Sequence, residues 1–218
     1  MAKLRVHNLA MSIDGYVAGP DQSRDDPLGV GGLRLHEWVF ETRSGRAMIG
    51  QEGGSEELDD EYLRTANDGV GATVMGRNMF GPIRGPWGDD PWSGWWGDDP
   101  PYHHPVFVLT HHARPPIVKE GGTTFHFVTG GIEAALEAAV EAAAGADVRL
   151  GGGASTVAQY LRAGLVDVLG LALVPVLLEA GERIFDDMQG ALEGFACTGF
   201  AAGDSVLHAT FTKPRAGA

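Results

Sequence analysis

The chain has a single cysteine, few basic residues and no long apolar run. Cys197 is the only cysteine among 218 residues, which excludes an internal disulfide and a thiolate metal cluster. Basic residues number 16 against 29 acidic ones, giving a net charge of −13. Because that charge repels a phosphate backbone, nucleic-acid binding is not expected, although a small local basic site is compatible with it.

No apolar run reaches the length of a transmembrane helix, and residues 1–6 contain no apolar signal core. The hydrophobic fraction of 44% is ordinary for a soluble globular protein that buries a sizeable core. We therefore expect a cytoplasmic protein that acts on a small molecule, without a membrane partner.

Strand patterns alternate with helix patterns, and a hairpin pattern follows them. Strands are predicted over residues 4–11, 72–75, 106–110, 124–128, 147–150 and 166–174. Helices are predicted over residues 34–42, 55–67, 130–144 and 154–163, with Ser55 capping the second, and the hairpin over 194–200 and 205–213. This order predicts an α/β fold of three layers, a mainly parallel sheet covered on both faces with a C-terminal antiparallel hairpin. No linker divides it, so residues 1–218 are expected to form one domain.

Three of these strands end at residues that suit a nucleotide. The first ends at Gly76-Arg77, the second at Thr110-His111, and the third at the glycines of 151–153, which open a helical pattern. The Arg77 guanidinium offers a planar fork of donors to a phosphate. Glycines at a strand-to-helix turn let backbone N–H groups approach a pyrophosphate near the positive end of a helix. Together the three ends indicate a dinucleotide of the NADPH type.

Two other interpretations of these motifs stand beside this one. The glycine run is not a complete G-x-G-x-x-G, because Thr156 occupies the position of its third glycine, and a tight turn that needs positive φ would explain it equally well. The paired histidines, His103-His104 and His111-His112, point to opposite faces of a strand if they are extended, so no metal site is predicted.

Asp14 and a tryptophan-rich segment, residues 86–101, are candidates for the substrate end. Asp14 follows the first strand; it either stabilises its own turn or lies beside the reacting centre. The segment is predicted to cover the substrate, and the alternative is a loop that packs on its own domain or contacts another subunit. The predicted substrate contacts are Asp14, Trp87, Trp92, Trp95 and Trp96.

In this order and spacing, several pieces of the chain resemble the dihydrofolate reductase-like superfamily. The resemblance is closest to the reductase domain of the bifunctional riboflavin-biosynthesis deaminase-reductase. It is carried by residues 11–18 (MSIDGYVA), 74–77 (VMGR), 108–110 (VLT), 150–153 (LGGG), 164–167 (GLVD) and 175–185 (PVLLEAGERIF). The resemblance as a whole covers the chain from residue 3 to about residue 213.

The resemblance implies an eight-stranded, mainly parallel sheet that binds NADPH across its strand ends, and a homodimer. Residues 166–178 form a long apolar run that a dimer contact would explain, and a central position in the sheet is the alternative. The cofactor-binding residues implied are Ala10, Gly76, Arg77, Asn78, Leu109, Thr110, His111, Gly151, Gly152, Gly153, Ala154 and Ser155, and Asp14 is the catalytic candidate.

The substrate is less defined than the cofactor. Folate-reducing members hold the pterin with a helix carboxylate, which would correspond to Asp59, Asp60 or Glu61, but the Trp and Pro that normally precede it are missing. The zinc motif of the deaminase is also missing from the chain. The function expected is an NADPH-dependent reductase that transfers a hydride to a small pterin- or pyrimidinone-like heterocycle. The alternative is a nucleotide-binding or regulatory module without turnover.

Overall fold

A mainly parallel sheet runs through the centre of the molecule. The computed structural model describes residues 2–82, 84–89 and 92–214. Its strands are β1 (Leu4–Ser12), β2 (Tyr16–Ala18), β3 (Val70–Gly76), β4 (Pro105–Leu109), β5 (Ile117–Val118), β6 (Thr124–Val128), β7 (Asp147–Leu150), β8 (Val168–Val174), β9 (Glu182–Arg183), β10 (Ala196–Ala202) and β11 (Leu207–Thr212). Nine of them form one sheet in the order β10-β11-β8-β1-β7-β3-β4-β6-β5, and β2 pairs with β9 separately.

The pairing directions confirm the predicted fold class. Strand β1 is parallel to β7 and β8, β3 is parallel to β7 and β4, and β4 is parallel to β6. Strands β10 and β11 form the antiparallel hairpin, which joins the sheet through β8. The sheet has nine strands where the resemblance implies eight. The additional strand, β5, has only two residues, which is too short to show a periodicity in the sequence.

The helices cover both faces of this sheet. They are α1 (Glu37–Glu41), α2 (Arg43–Met48), α3 (Leu58–Arg64), α4 (Arg77–Phe80), α5 (Gly131–Ala142) and α6 (Ala154–Arg162), with 3-10 turns at Gly32–Leu35 and Glu120–Gly122. None of the helices within the described ranges is long and apolar enough to cross a membrane.

Strand β8 is buried on both faces, which explains its apolar run without a partner subunit. Leu169 and Leu171 pack in the cluster that contains α5 and α6, whereas Ala172 and Val174 pack with Trp38 of α1. The strand also has neighbours on both sides, β1 and β11. The alternative explanation of this run therefore holds, and the homodimer stays a prediction from the family resemblance.

Two predicted helices are shorter than expected, for local reasons. The one predicted over 34–42 spans only Glu37–Glu41, because the chain before it forms the 3-10 turn Gly32–Leu35. Thr42 then caps a separate helix, α2, by accepting a hydrogen bond from the Gly45 N–H. The one predicted over 55–67 begins three residues later, at Leu58. Ser55 does not cap it, because the N-cap position is Glu57; the Ser55 hydroxyl donates to the Asp204 carboxylate and accepts from the Glu57 N–H.

A polar layer lies on the face of the sheet opposite α5 and α6. Leu4 and Val6 of β1 face those helices, so Arg5 and His7 point the other way. Nε of Arg5 donates to Nε2 of His7 at 2.7 Å. Burial and then the charges of Arg5 and Arg149 lower the pKa of His7 to about 4.

His104 belongs to the same layer. Its Nε2 lies 2.7 Å from Oγ1 of the buried Thr73. Burial, followed by the charge of Arg149 and by His103, lowers the pKa of His104 to about 4. These two histidines are therefore neutral in the folded protein at neutral pH.

Because of this polar layer we expect the folded protein to lose stability in acid. Histidine titrates near 6.5 in an unfolded chain, so between pH 6.5 and 4 the unfolded state binds more protons, and stability present above pH 6.5 is lost as the pH falls. We expect the free energy of unfolding, measured in urea at each pH, to fall by about 1 to 2 kcal/mol for each of His7 and His104. His7→Gln keeps an acceptor for Arg5 without the titration and should lose less.

The exposed His111, replaced by Gln, serves as the matched control and should keep the pH dependence of the parent protein. Identical pH dependence in the parent and in His7→Gln would contradict the assignment of acid sensitivity to this layer.

Candidate functional site

A cavity of about 330 Å³ opens where the central parallel strands end. Strands β3, β4, β6 and β7 all contribute residues that follow their carboxyl ends, which is where open α/β sheets bind ligands. The lining consists of Arg77, Asn78, Arg84, Gly85, Leu109, Thr110, His111, His112, Thr129, Gly131, Ile132, Gly153, Ala154, Ser155, Thr156, Gln159 and Glu182. The three strand ends singled out in the sequence therefore lie around one space.

Most of the predicted cofactor residues line this cavity. They are Arg77, Asn78, Leu109, Thr110, His111, Gly153, Ala154 and Ser155. The parallel register explains why they meet: Gly76 lies opposite Leu109, and Val74 lies opposite Leu150, so the three strands end at nearly the same level. That these residues bind a ligand stays a prediction.

The remaining predicted cofactor residues lie behind the lining. Ala10 is buried in the cluster that contains Leu35 and Trp38. The Gly76 N–H donates to the Gly152 carbonyl at 2.6 Å, and the Gly152–Gly153 peptide bond is cis. Gly152 has a φ of 122°, and a Cβ on Gly151 would lie 3.2 Å from the Met79 sulfur. The structure thus shows these glycines in a tight, closely packed turn, as the alternative interpretation of the glycine run describes.

Two helix N-termini open onto the cavity. Helix α6 begins at Ala154 after Gly153, and α5 begins at Gly131 after Gly130. Neither helix has a side-chain cap at its start, so their first N–H groups are not satisfied by a capping side chain. The aligned peptide dipoles add a positive field at both ends. Both termini suit an anionic ligand group.

Arg77 provides the strongest electrostatic feature of the cavity. Its Nη1 donates weakly to Oγ1 of Thr110 at 3.3 Å, while its buried Nε and Nη2 have no hydrogen-bond partner among the described residues. Burial lowers the pKa of Arg77, and the charges of Arg84 and Arg114 lower it further. Glu182 is the one acid of the lining, and it forms no ion pair with Arg77. Orphaned guanidinium donors in positive surroundings fit a phosphate.

Arg84 and Arg114 were not identified from the sequence. Arg84 lines the cavity, and Arg114 lies near the aromatic rings of Trp87 and Phe127. They are separated by thirty positions and belong to segments without periodicity. The one available signal was the presence of basic residues in a strongly acidic stretch.

The described residues of the tryptophan-rich segment pack on their own domain, and that the segment covers the substrate stays a prediction. Trp87 is 9% exposed and packs edge-to-face on Phe80 and Phe127. Trp92 donates from Nε1 to the Phe80 carbonyl at 3.0 Å, and Trp96 packs on Tyr102. Trp95 contacts Trp92. None of these four rings is among the residues described as lining the cavity; Trp87, Trp92 and Trp96 pack in the aromatic cluster against β4 and β6.

Asp14 lies in the loop after β1 and is bound by that loop and by the one after β8. Its carboxylate accepts hydrogen bonds from the Ser12 hydroxyl at 2.5 Å, the Glu179 N–H at 2.8 Å and the Leu178 N–H at 3.2 Å. The hydrogen bond from Ser12 and those from the backbone lower the pKa of Asp14. Asp14 is therefore a carboxylate at neutral pH and fastens two loops; its catalytic role stays a prediction.

Two of the three helix carboxylates that could have held a pterin, Asp59 and Asp60, are engaged inside the protein, whereas Glu61 is exposed. Asp59 is 2% exposed; it contacts Nε2 of His208 at 2.7 Å and accepts from the Ser205 N–H at 2.9 Å. Asp60 accepts from the Ser44 N–H at 2.6 Å. Neither carboxylate is available to a ligand in the manner of a folate reductase. Within the described ranges, no three His, Cys, Asp or Glu side chains come together as metal ligands.

The chain matches a known protein family. The family model described as the RibD C-terminal domain matches residues 5–193, which is most of the chain. The chain belongs to the RibD C-terminal domain family. That membership supports a reductase-type function. A comparison with curated proteins gives no significant match.

Solved structures share the fold of this RibD C-terminal domain protein. A protein from Shewanella sp. PV-4, provisionally described as a riboflavin biosynthesis protein, is 21% identical with a TM-score of 0.61, covering 99% of this chain and 100% of its own. A pyrimidine reductase-like protein from Corynebacterium diphtheriae is 14% identical with a TM-score of 0.54, covering 99% and 93%. Dihydrofolate reductase from Enterococcus faecalis, in complex with NADP(H), is 14% identical with a TM-score of 0.51, covering 98% and 97%.

The geometry of the site depends on a glycine at the end of β3. A Cβ on Gly76 would lie 2.2 Å from Oγ1 of the buried Thr156 in α6. We expect Gly76→Ala to lower the free energy of unfolding by about 2 to 3 kcal/mol, because the helix must move away from the strand. Urea denaturation measures this change.

Thr156→Ala in the same background removes the clashing hydroxyl and should restore about half of that loss. A double-mutant cycle over the four proteins gives the coupling. If Gly76→Ala costs as much in the Thr156→Ala background as it does in the parent protein, the close approach is not the cause.

Proposed function

We propose that this protein is an NADPH-dependent reductase that transfers a hydride to a small heterocycle of the pterin or pyrimidinone type. One observation carries the proposal: Arg77 lines the cavity and has two buried guanidinium donor groups without a partner among the described residues. Burying such groups is unfavourable unless a ligand accepts their hydrogen bonds. A phosphate on the adenosine ribose, which distinguishes NADPH from NADH, satisfies them.

The residues that line the cavity can be assigned to successive parts of a bound dinucleotide. Arg77 and Asn78 would meet the ribose phosphate, and residues 109–111 would border the adenosine. Gly153, Ala154 and Ser155 would hold the pyrophosphate at the start of α6, where no side-chain cap competes for the N–H groups. The cavity volume is at the lower end of the range for small-ligand sites, which suits the adenosine half of the cofactor. The nicotinamide would lie toward Ala10 and Asp14.

Bound NADPH supplies the hydride, and the protein supplies position and electrostatics. The residues of the cavity fix the cofactor so that its reacting end is held against the substrate, which raises the rate by orientation. Asp14 is ionised at neutral pH, so it is suited to holding the loops after β1 and β8 and to accepting a hydrogen bond from the substrate. The proton that completes the reduction comes from solvent.

The substrate is proposed by chemical class. The structural neighbours include a pyrimidine reductase-like protein and a dihydrofolate reductase. Because Asp59 and Asp60 are engaged within the fold, neither of them would hold a pterin as the helix carboxylate of the folate reductases does. A pyrimidinone-like ring held through the Asp14 loop is the form of the proposal that agrees best with these contacts.

The role of Arg77 gives a direct prediction. Arg77→Ala removes a charge-assisted contact with the ribose phosphate and should weaken NADPH binding by about 2 kcal/mol, while NADH binding changes little. Calorimetric titration of both cofactors into the parent and the variant measures this difference. Equal losses for NADPH and NADH would mean that Arg77 serves the fold and not the cofactor phosphate.

A second function, a nucleotide-binding module without turnover, is favoured by the engagement of Asp14, the one candidate acid near the substrate end. Oxidation of NADPH, followed by its absorbance with pterin, pyrimidinone and quinone substrates, separates the two. We expect substrate-dependent oxidation. Tight NADPH binding without oxidation by any member of the panel favours the module, and no binding at millimolar NADPH excludes both.

A further inference from the structure

We infer that Trp87 and Arg84 complete a phosphate subsite around Arg77, so that the tryptophan-rich segment serves the phosphate end of the cofactor and not the substrate. This inference rests on the proposed function and deepens it. It identifies Trp87 as a positioning residue and Arg84 as a second contact for a phosphate monoester.

The first step is the contact between Arg77 and Trp87. The guanidinium carbon of Arg77 lies 3.6 Å from the centre of the Trp87 ring. At this distance the guanidinium rests on the ring face, which attracts a cation through its quadrupole. Among the described residues, the single hydrogen bond of Arg77 to another side chain, to Thr110, is long, so the ring is the main support that fixes the orientation of the guanidinium.

The second step is that Trp87 is itself fixed. Its Nε1 donates to the His112 carbonyl at 2.8 Å, and Phe80 and Phe127 pack against it edge-to-face. The ring is 9% exposed. A support that is anchored by a hydrogen bond and by two aromatic contacts holds Arg77 in one orientation before any ligand arrives, which reduces the entropic cost of binding.

The third step is the concentration of positive charge. Arg84 lines the same cavity, and the guanidinium carbon of Arg114 lies 4.9 Å from the centre of the Trp87 ring. Among the described residues, neither Arg77 nor Arg84 forms an ion pair with an acid. In a chain with a net charge of −13, this grouping is a local exception. The guanidinium groups of Arg77 and Arg114 thus both lie near the Trp87 ring, which attracts cations.

The ligand class follows from the charge and from the donors. A phosphate monoester carries close to two negative charges at neutral pH, whereas each phosphate of a pyrophosphate diester carries one. Two uncompensated arginines with unused donors match the monoester, because guanidinium forks bind it through paired charge-assisted hydrogen bonds. The pyrophosphate has its own donors at the start of α6.

The test compares two cofactor fragments by calorimetry, adenosine 2′,5′-bisphosphate and adenosine 5′-monophosphate. In the parent protein we expect the bisphosphate to bind more tightly. Trp87→Leu should weaken the bisphosphate about tenfold and leave the monophosphate within about twofold, because only the orientation of Arg77 is lost. Trp87→Phe keeps a ring face and should recover part of the loss.

Arg84→Gln should weaken the bisphosphate by about three- to tenfold and reduce the salt dependence of its binding. Two matched controls should bind both fragments as the parent does. Trp95→Leu removes a tryptophan of the same segment that contacts Trp92 but not Arg77, and Arg64→Gln removes an exposed arginine at the end of α3. Thermal unfolding of each variant shows that it is folded, and Arg84→Gln, on the surface, tests the inference if Trp87→Leu does not fold.

The outcomes separate this inference from the function on which it rests. If the parent protein binds neither NADPH nor the bisphosphate, the proposed function fails and the subsite fails with it. If the parent prefers the bisphosphate but folded Trp87 and Arg84 variants keep that preference in full, the proposed function stands and the subsite is overturned. A loss that is equal for both fragments also overturns it, since that result marks a structural role.

Discussion

The register of the central parallel strands is the constraint on which the rest of the site depends. Gly76 of β3 lies opposite Leu109 of β4, so these two strands end together, and Val74 lies opposite Leu150 of β7, so that strand ends two residues earlier. Each strand is followed by a turn or a helix, and the first residues of those turns and helices line the cavity. A shift of one strand by a single residue would turn its last side chain to the other face of the sheet. The cavity is therefore a consequence of pairing and not of any one motif.

The electric field in the cavity is determined by the charges close to it. The net charge of −13 keeps the surface negative as a whole, but the cavity gathers Arg77 and Arg84 together with two helix N-termini. Screening by salt limits the reach of the distant acids to about one Debye length, roughly 8 Å at physiological ionic strength, so the field at the cavity is set by its nearest charges. An acidic protein can thus hold an anion.

The strand ends could be predicted because each carries its own signal. A glycine, a threonine or a run of glycines interrupts an apolar pattern, and the observed strands β6 and β7 have the predicted bounds. Contacts between distant segments carry no such signal. The Asp59–His208 pair, for example, joins residues 149 positions apart. The support of Arg77 by Trp87 is of the same kind, since nothing in a segment of Trp, Gly, Pro and Asp shows which ring contacts which cation.

The packing of Trp87 also decides what its segment can do. A lid must open, and opening here would break the hydrogen bond to the His112 carbonyl, the edge contacts with Phe80 and Phe127, and the contact with Arg77. Each of these contributes about 0.5 to 1.5 kcal/mol, and moving the ring would also expose buried apolar surface. A residue held by several such interactions is suited to support a binding group and poorly suited to gate access.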